Sequence, residues 1–410
     1  MNLLFKLAWR NIWRNKRRSY ITLAAIIFAT FATIAMRGIQ LGTYGVNIKN
    51  AVEMFTGYLQ IQRTGYQENP SLNLAFSLED SLQNILETND KIISFTPRVY
   101  AAGLISYKDN SYGSAIFGID PSKEKKTSKI LDKLKNGYFF TSDTSLEIVI
   151  GEKLLNNLKV NIGETVVILA QGFDGSLGNL KFKITGTVKT GSPELDNMAV
   201  FMSIRTSQEL LALYGNRIHS IAIKLNSLEN MDEVQDSLKS NIKSKNLAIL
   251  NWEEVMPDLK QSIDLDNISG LLMLIILIII VAFGILNTVL MSVTERFNEF
   301  GVTLSIGMPQ IKLVLLVLIE TVFIAIIGII IGDILGYAIN NYFYFNPIEF
   351  GSEFAYIYEE YGFLPVMQSS INPYIIVNNT ILVLTISVIA CLYPMYKVYR
   401  LEPLKGIRHT

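Results

Sequence analysis

The 410-residue sequence holds one cysteine and two histidines. A lone thiol at Cys391 can close no intrachain disulfide and supplies neither a cysteine-based metal site nor a redox pair. His219 and His409 make no H-E-x-x-H zinc helix, and neither is placed to serve as the base of a serine triad. No Gly-Lys dipeptide occurs, so the glycine-rich loop ending in Gly-Lys-Ser/Thr that cradles nucleotide phosphates is missing. No groove of interleaved basic and aromatic residues points to nucleic acid. These absences remove the common enzyme classes, exclude a metal site or bound cofactor, and assign any ATP and Mg to a partner chain.

What is present is apolar. Half of the residues are hydrophobic, and three runs suffice to cross about 30 Å of hydrocarbon at about 1.5 Å per residue: 269–293, 311–340 and 374–393. A fourth run, 20–42, follows a basic segment and could be read as a signal peptide. A retained helix is preferred, because the run is longer than a signal core and its removal would put the chain ends on opposite sides. The formal charge is zero but unevenly spread. Lys6, Arg10, Arg14, Lys16, Arg17 and Arg18 precede the first span with no acid among them, and the tail 394–410 carries Lys397, Arg400, Lys405 and Arg408 against Glu402. The segment 341–373 has Glu349, Glu353, Glu359 and Glu360 and no Lys or Arg. Positive-inside bias then puts both ends in the cytoplasm, 43–268 and 341–373 outside, and 294–310 inside as a cytoplasmic connection. Ahead of the first span, Phe5, Ala8, Trp9, Ile12 and Trp13 recur at helical spacing, which predicts an interfacial helix over 1–19.

The outer segment has ordinary globular composition. Strands are expected at 57–62, 103–107, 114–118, 165–169, 181–188 and 220–225, and helices at 207–214 and along Met231, Val234, Leu238 and Ile242. A mixed α+β domain follows. Between two of the strands, Gln171–Asn179 concentrates turn formers and predicts a projecting hairpin loop, with Gly172, Phe173, Asp174 and Gly175 as its candidate partner-binding tip.

Within the spans, Gly328, Gly332 and Gly336 recur every four residues and clear one helix face for close packing. Glu320 is an acid within a span, which is costly unless it faces protein or water, and it is read as a structural anchor. Arg37 is expected to snorkel outward or meet Asp333. At the exits to the outer domain, Met36, Ile39 and Leu41 on one span and Ile263, Leu265, Ile268, Leu271 and Leu272 on the next make a candidate apolar slot for lipid or substrate.

The stretch Glu295-Arg296-Phe297-Asn298-Glu299-Phe300-Gly301, followed by Leu304-Ser305-Ile306-Gly307, resembles the coupling segment of FtsX/MacB-type (type VII) ABC transporter permeases. A tail with Tyr393, Pro394, Arg400 and Pro403, and the order of helix, span, outer domain and three closing spans, is similar to that family along the whole chain. Gly57-Tyr58-Leu59-Gln60-Ile61, Gly118-Ile119-Asp120-Pro121 and 189–196 resemble segments of its lipoprotein-releasing, LolC/LolE-type branch. The resemblance implies four transmembrane helices, a periplasmic core domain of two α/β subdomains, and an FtsX-like permease domain in the closing spans. It also implies a LolD-like ATPase partner, a second permease subunit, a periplasmic lipoprotein carrier and a place in the bacterial inner membrane. Glu295, Arg296, Glu299, Gly301 and Gly307 are then the expected coupling residues, and lipoprotein release by mechanotransmission the leading activity. MacB-like efflux and an FtsX-like scaffold for a cell-wall hydrolase are the alternatives.

Overall fold

We describe the protein from a computed structural model, over residues 2–140, 142–242, 244, 246–351, 355, 358 and 364–401. Expectations placed on Lys405, Arg408, Glu402, Pro403, His409, Glu353, Glu359 and Glu360 lie outside the described residues. The chain divides into a helical unit, Met1–Tyr44, Ile263–Glu349 and Val366–Thr410, and an α/β unit, Gly45–Ser262 with Phe350–Pro365. In chain order the α-helices are α1 (Asn2–Arg14), α2 (Lys16–Ala51), α3 (Asp80–Glu87), α4 (Pro121–Thr127), α5 (Glu152–Leu158), α6 (Pro193–Met198) and α7 (Ile204–Leu210). They continue as α8 (Met231–Asn241), α9 (Trp252–Val255), α10 (Pro257–Glu295), α11 (Phe297–Ser305), α12 (Gln310–Phe345) and α13 (Pro373–Tyr399).

Among the described residues, four helices are long and apolar enough to cross a membrane: α2 with its continuation to Thr56, α10, α12 and α13. Each outruns its apolar stretch, because a helix ends where its backbone bonding ends and not where hydropathy falls. The largest overhang is at α2, which with its continuation to Thr56 runs well past Gly42; at α10, Pro257 opens the helix well before Ser269. Proline is tolerated there, since the first-turn N–H has no intrahelical acceptor to lose.

The helical unit is held by close backbone approach. A Cβ at Gly328, Gly332 or Gly336 would stand 2.7, 2.5 or 2.8 Å from side-chain atoms of Ile26, Thr30 and Ile34. Those three also recur every four residues, so one face of α2 beds into the glycine groove of α12. Two amides tie α2 further: Asn340 Nδ2 donates to Ile34 O at 3.0 Å and Asn379 Nδ2 to Thr30 O at 3.4 Å. Arg37 does not meet Asp333. Its guanidinium donates to Asn267 Oδ1 at 2.7 Å and Gln40 Oε1 at 2.8 Å, while Asp333 accepts from Thr380. With about 100° per residue, Asp333 lies to the side of the face that Gly332 and Gly336 turn to α2, toward α13.

The α/β unit contains β1 (Leu59–Arg63), β2 (Phe76–Ser77), β3 (Ile92–Tyr107), β4 (Asn110–Ile119), β5 (Leu134–Gly137), β6 (Glu147–Gly151) and β7 (Thr165–Gln171). It continues with β8 (Leu177–Val188), β9 (Ala199–Ser203), β10 (Arg217–Ile218), β11 (Ser220–Leu225) and β12 (Leu247–Asn251). β3 is shared between two parts. Its first half extends the antiparallel ladder β12–β1–β11. Its second half pairs with β4 and β7, and the pairings β4–β9–β6–β8–β7 return to β3, closing a ring. Ile105, Ile116, Ile148, Ile168, Phe182 and Ile184 from this ring are fully buried. Closure removes exposed sheet edges from that half.

Every expected strand is present, four of them longer than expected: β3, β4, β7 and β8. β6 and β9 were not expected, being short and largely buried on both faces so that no alternation marks them, and β12, short and half-buried, was missed as well. The helix expected at 207–214 instead runs Ile204–Leu210, because the Ser203 hydroxyl accepts from Thr206 N and starts it earlier. A buried ion pair was also unforeseen. Arg98 and Glu124 are both inaccessible and joined through two guanidinium nitrogens. Thr96 and Ser128 donate to the same carboxylate, and Phe55 lies 3.7 Å from the guanidinium.

Candidate coupling site

The helix α11 sits between α10 and α12, and its position follows from local chemistry. Arg296 leaves helical geometry (φ −104°, ψ 11°) and breaks α10 from α11. Gly307 then takes φ +101°, a left-handed conformation that suits glycine, and Pro309 caps α12. Phe300 and Gly301 are buried. Phe300 joins Val293, Leu313, Val317, Cys391, Val398 and Leu401 in one apolar cluster that fixes α11 to α10, α12 and α13.

Charge completes the attachment. Arg296 turns inward and donates through Nη1 to both Glu320 oxygens, at 3.0 and 2.9 Å, with both side chains nearly buried. Asn11 Nδ2 donates to Glu320 Oε1 at 2.6 Å. Glu320 is thus satisfied from α1 and from the α10–α11 break, which explains how an acid is tolerated at that depth. Glu299 accepts two bonds from Arg14, both at 2.8 Å, and a longer one from Arg296 Nε at 3.4 Å. Partial burial raises the Glu299 pKa, but the hydrogen bond and charge of Arg14, with the charge of Arg296, outweigh it and hold the carboxyl below its ordinary value. Glu295 accepts from Arg18 at 3.0 Å. The three charged residues expected to contact a partner are therefore engaged within the chain, and Arg296 is buried. What α11 and the residue that follows it expose is Asn298, Glu299, Val302, Ser305 and Ile306, with Val302 and Ile306 49% and 82% exposed.

α1 lies along α12, with Ala8 and Ile12 buried and the rings of Phe5 and Trp9 5.8 and 6.2 Å from Phe323. At the other end of the helical unit, Met36, Ile268, Leu271 and Leu272 are exposed and Ile39, Leu41 and Ile263 half-buried. In the α/β unit the predicted loop is shorter than expected. The β7–β8 ladder continues through Gln171↔Leu177 and Leu169↔Asn179, which leaves 172–176 as the turn. It does not project freely. Phe173 N donates to Leu211 O at 2.7 Å and the Phe173 ring lies 4.5 Å from the Arg217 guanidinium, while Asp174 and Gly175 are exposed.

The model described as FtsX-like permease C-terminal matches residues 271–403, and the model described as MacB-like periplasmic core domain matches 19–241. The chain belongs to the FtsX/MacB-type ABC transporter permeases. The permease is 21% identical over 397 residues to the lipoprotein-releasing system transmembrane protein LolC of Neisseria meningitidis serogroup B, covering 93% of this chain and 95% of that one. It is 26% identical over 353 residues to the macrolide export ATP-binding/permease protein MacB of Aggregatibacter actinomycetemcomitans, covering 81% of this chain and 52% of that one. The permease thus spans about half the length of that MacB relative. The crystal structure of the periplasmic region of MacB from Actinobacillus actinomycetemcomitans aligns at 22% identity and a TM-score of 0.36, over 52% of this chain and 94% of that one. Four bilayer-length helices and a periplasmic-type domain make the permease a membrane protein with a large periplasmic domain.

Sequence reasoning singled out the segment 295–307 of the permease but not the partners of its charges. Asn11, Arg14, Arg18 and Glu320 complete the site from far along the chain. The available signal was compositional: the basic run before the first span holds no acid of its own.

Proposed function

We propose that this permease is the membrane half of an inner-membrane ABC transporter that works as a pair with an identical or homologous permease. In this reading a separate LolD-like chain binds and hydrolyses ATP. The observation that carries it is α11: a short helix fastened to the bundle by Phe300, Glu299 and Arg296, with Val302 and Ile306 facing outward. An exposed apolar pair on a rigid, charge-braced helix suits a groove on a partner. Closure of the ATPases would move α11 and, through it, the packed helices.

The leading substrate is a lipid-anchored protein released toward the outer membrane. Supporting this are alignment over nearly the full length of a lipoprotein-releasing relative and the exposed apolar flank of Met36, Ile268, Leu271 and Leu272. An acyl chain gains about 0.8 kcal/mol per buried methylene on such a surface. The exposed turn residues Asp174 and Gly175 are the candidate contact for a periplasmic lipoprotein carrier. Efflux is the second reading, favoured by comparable similarity to MacB.

Purifying the native complex tests both. We expect an ATPase and an acylated protein to accompany the wild-type chain, and the ATPase to be lost from V302D/I306D. Duct proteins and unmodified peptides in place of the acylated protein would move the assignment to efflux. Retention of the ATPase by the double variant would remove α11 from the coupling role.

A further inference from the structure

The basic residues before the first span divide into two sets. Arg14 and Arg18 are consumed by Glu299 and Glu295. Lys6, Arg10, Lys16 and Arg17 are exposed and have no acidic partner among the described residues. Lys6 and Arg10 stand one turn apart on α1, and Lys16 and Arg17 open α2 just beyond the corner at Asn15. The first twenty residues contain no acid to offset them.

These four cations border an aromatic row. Trp9 and Trp13 meet edge to face at 5.9 Å, Trp13 meets Tyr20 at 6.1 Å, and Phe5 and Trp9 both rest on Phe323 of α12. Trp9 and Tyr20 are nonetheless about half exposed, at 50% and 53%. Indole and phenol rings that rest on a membrane helix and also remain accessible mark the level of the lipid headgroups, where their polar edges are hydrated and their bodies are not. The opposite face of α1, with Ala8 and Ile12, is buried in the helical unit. Its remaining surface therefore combines an aromatic belt with unpaired positive charge at one depth.

We propose that α1 and the first turn of α2 form a docking surface for anionic phospholipid headgroups. Lys6, Arg10, Lys16 and Arg17 supply the charge, and Trp9, Trp13 and Tyr20 set the depth. The occupant follows from complementarity: clustered cations beside a membrane helix attract anionic lipid and discriminate weakly among neutral ones. The surface is separate from the ion pairs that brace α11, so it adds a lipid contact to the coupling end of the molecule and does not depend on which substrate is transported.

The test uses the full chain reconstituted in symmetric vesicles of about seven parts phosphatidylcholine to three of phosphatidylglycerol, with one lipid brominated at a time. Bromine quenches tryptophan at short range. Trp252 is buried in the α/β unit and gives a constant background. We expect brominated phosphatidylglycerol to quench at least about twice as strongly per mole as brominated phosphatidylcholine, and the preference to shrink between ~0.1 and ~0.5 M salt. It should approach unity in K6Q/R10Q/K16Q/R17Q. Equal quenching by the two lipids in the wild-type chain would overturn the proposal and leave the basic run with a topological role alone. A preference that survives the quadruple substitution would overturn the assignment to these residues.

Discussion

Replacing Glu320 by Leu should loosen the α11 end of the permease more than any other single change there. The substitution leaves the Arg296 guanidinium nearly buried, with its two bonds to Glu320 at 3.0 and 2.9 Å lost and only the 3.4 Å contact to Glu299 and the Phe300 ring at 4.9 Å remaining. Stranding one member of a buried pair costs about 3–5 kcal/mol. The orphaned Asn11 amide adds on the order of 1 kcal/mol. Removing both charges, as R296M/E320L, should recover most of this, because the desolvation cost of a buried pair largely cancels its attraction. Cys391 provides the assay. It is the chain's one thiol, is fully buried, and contacts Thr321, the neighbour of Glu320. If opening limits access, a loss of 3–5 kcal/mol accelerates its alkylation by a small maleimide by about 150- to 5,000-fold at constant pH. E320L should be fast, and the double variant close to wild type. Equal rates in E320L and wild type, or a double variant as fast as the single one, would show that the pair does not hold this end together.

Three further outcomes are expected. G332L should lower the thermal midpoint sharply, since a Cβ there would lie 2.5 Å from Thr30, whereas G284A, with nothing within 4 Å, should leave it unchanged; equal midpoints in the two variants would contradict the groove. His219 is buried and neutral, its Nδ1 accepting from Tyr100 N at 3.1 Å while Nε2–H donates to Leu72 O, and burial pushes its pKa below 6.5 against the weaker raising effect of the Leu72 bond. A depressed folded-state pKa means that the unfolded chain takes the proton first, so stability is full above pH 6.5 and falls as pH drops through that value; melting of H219Q should be flatter over that interval, and parallel curves would remove His219 as the cause. With Cys391 replaced, a cysteine at Ser176 should react with an impermeant maleimide added outside cells and one at Asn298 should not, and labelling at Asn298 would invert the assigned topology.

The legible parts of this fold were those written in runs and periods. Apolar stretches marked the four long helices, and the four-residue spacing of Gly328, Gly332 and Gly336 marked a close-packed face, although nothing local named Ile26, Thr30 and Ile34 as its counterpart. Hydropathy could not show how far α2 and α10 continue, because polar turns extend a helix as well as apolar ones. Pairing between distant charges was the least legible. Arg98 and Glu124 lie 26 positions apart and Asn11 and Glu320 309 apart, and nothing in either neighbourhood predicts the partner. The segment 295–307 was singled out from its own residues, yet the intrachain pairs of Glu295, Arg296 and Glu299 with Arg18, Glu320 and Arg14 were not foreseen.

The bed of α2 has a consequence for how the protein is made. Its carbonyls at Ile34 and Thr30 are met by amides 306 and 349 positions later, and its smooth companion face on α12 is likewise built only after the periplasmic domain has left the ribosome. Until α12 and α13 follow, the first helix lacks that bed, and until α10 follows Arg37 lacks Asn267. Contacts of such long sequence separation form late. Biogenesis of this permease therefore ends, rather than begins, with the settling of its first membrane helix.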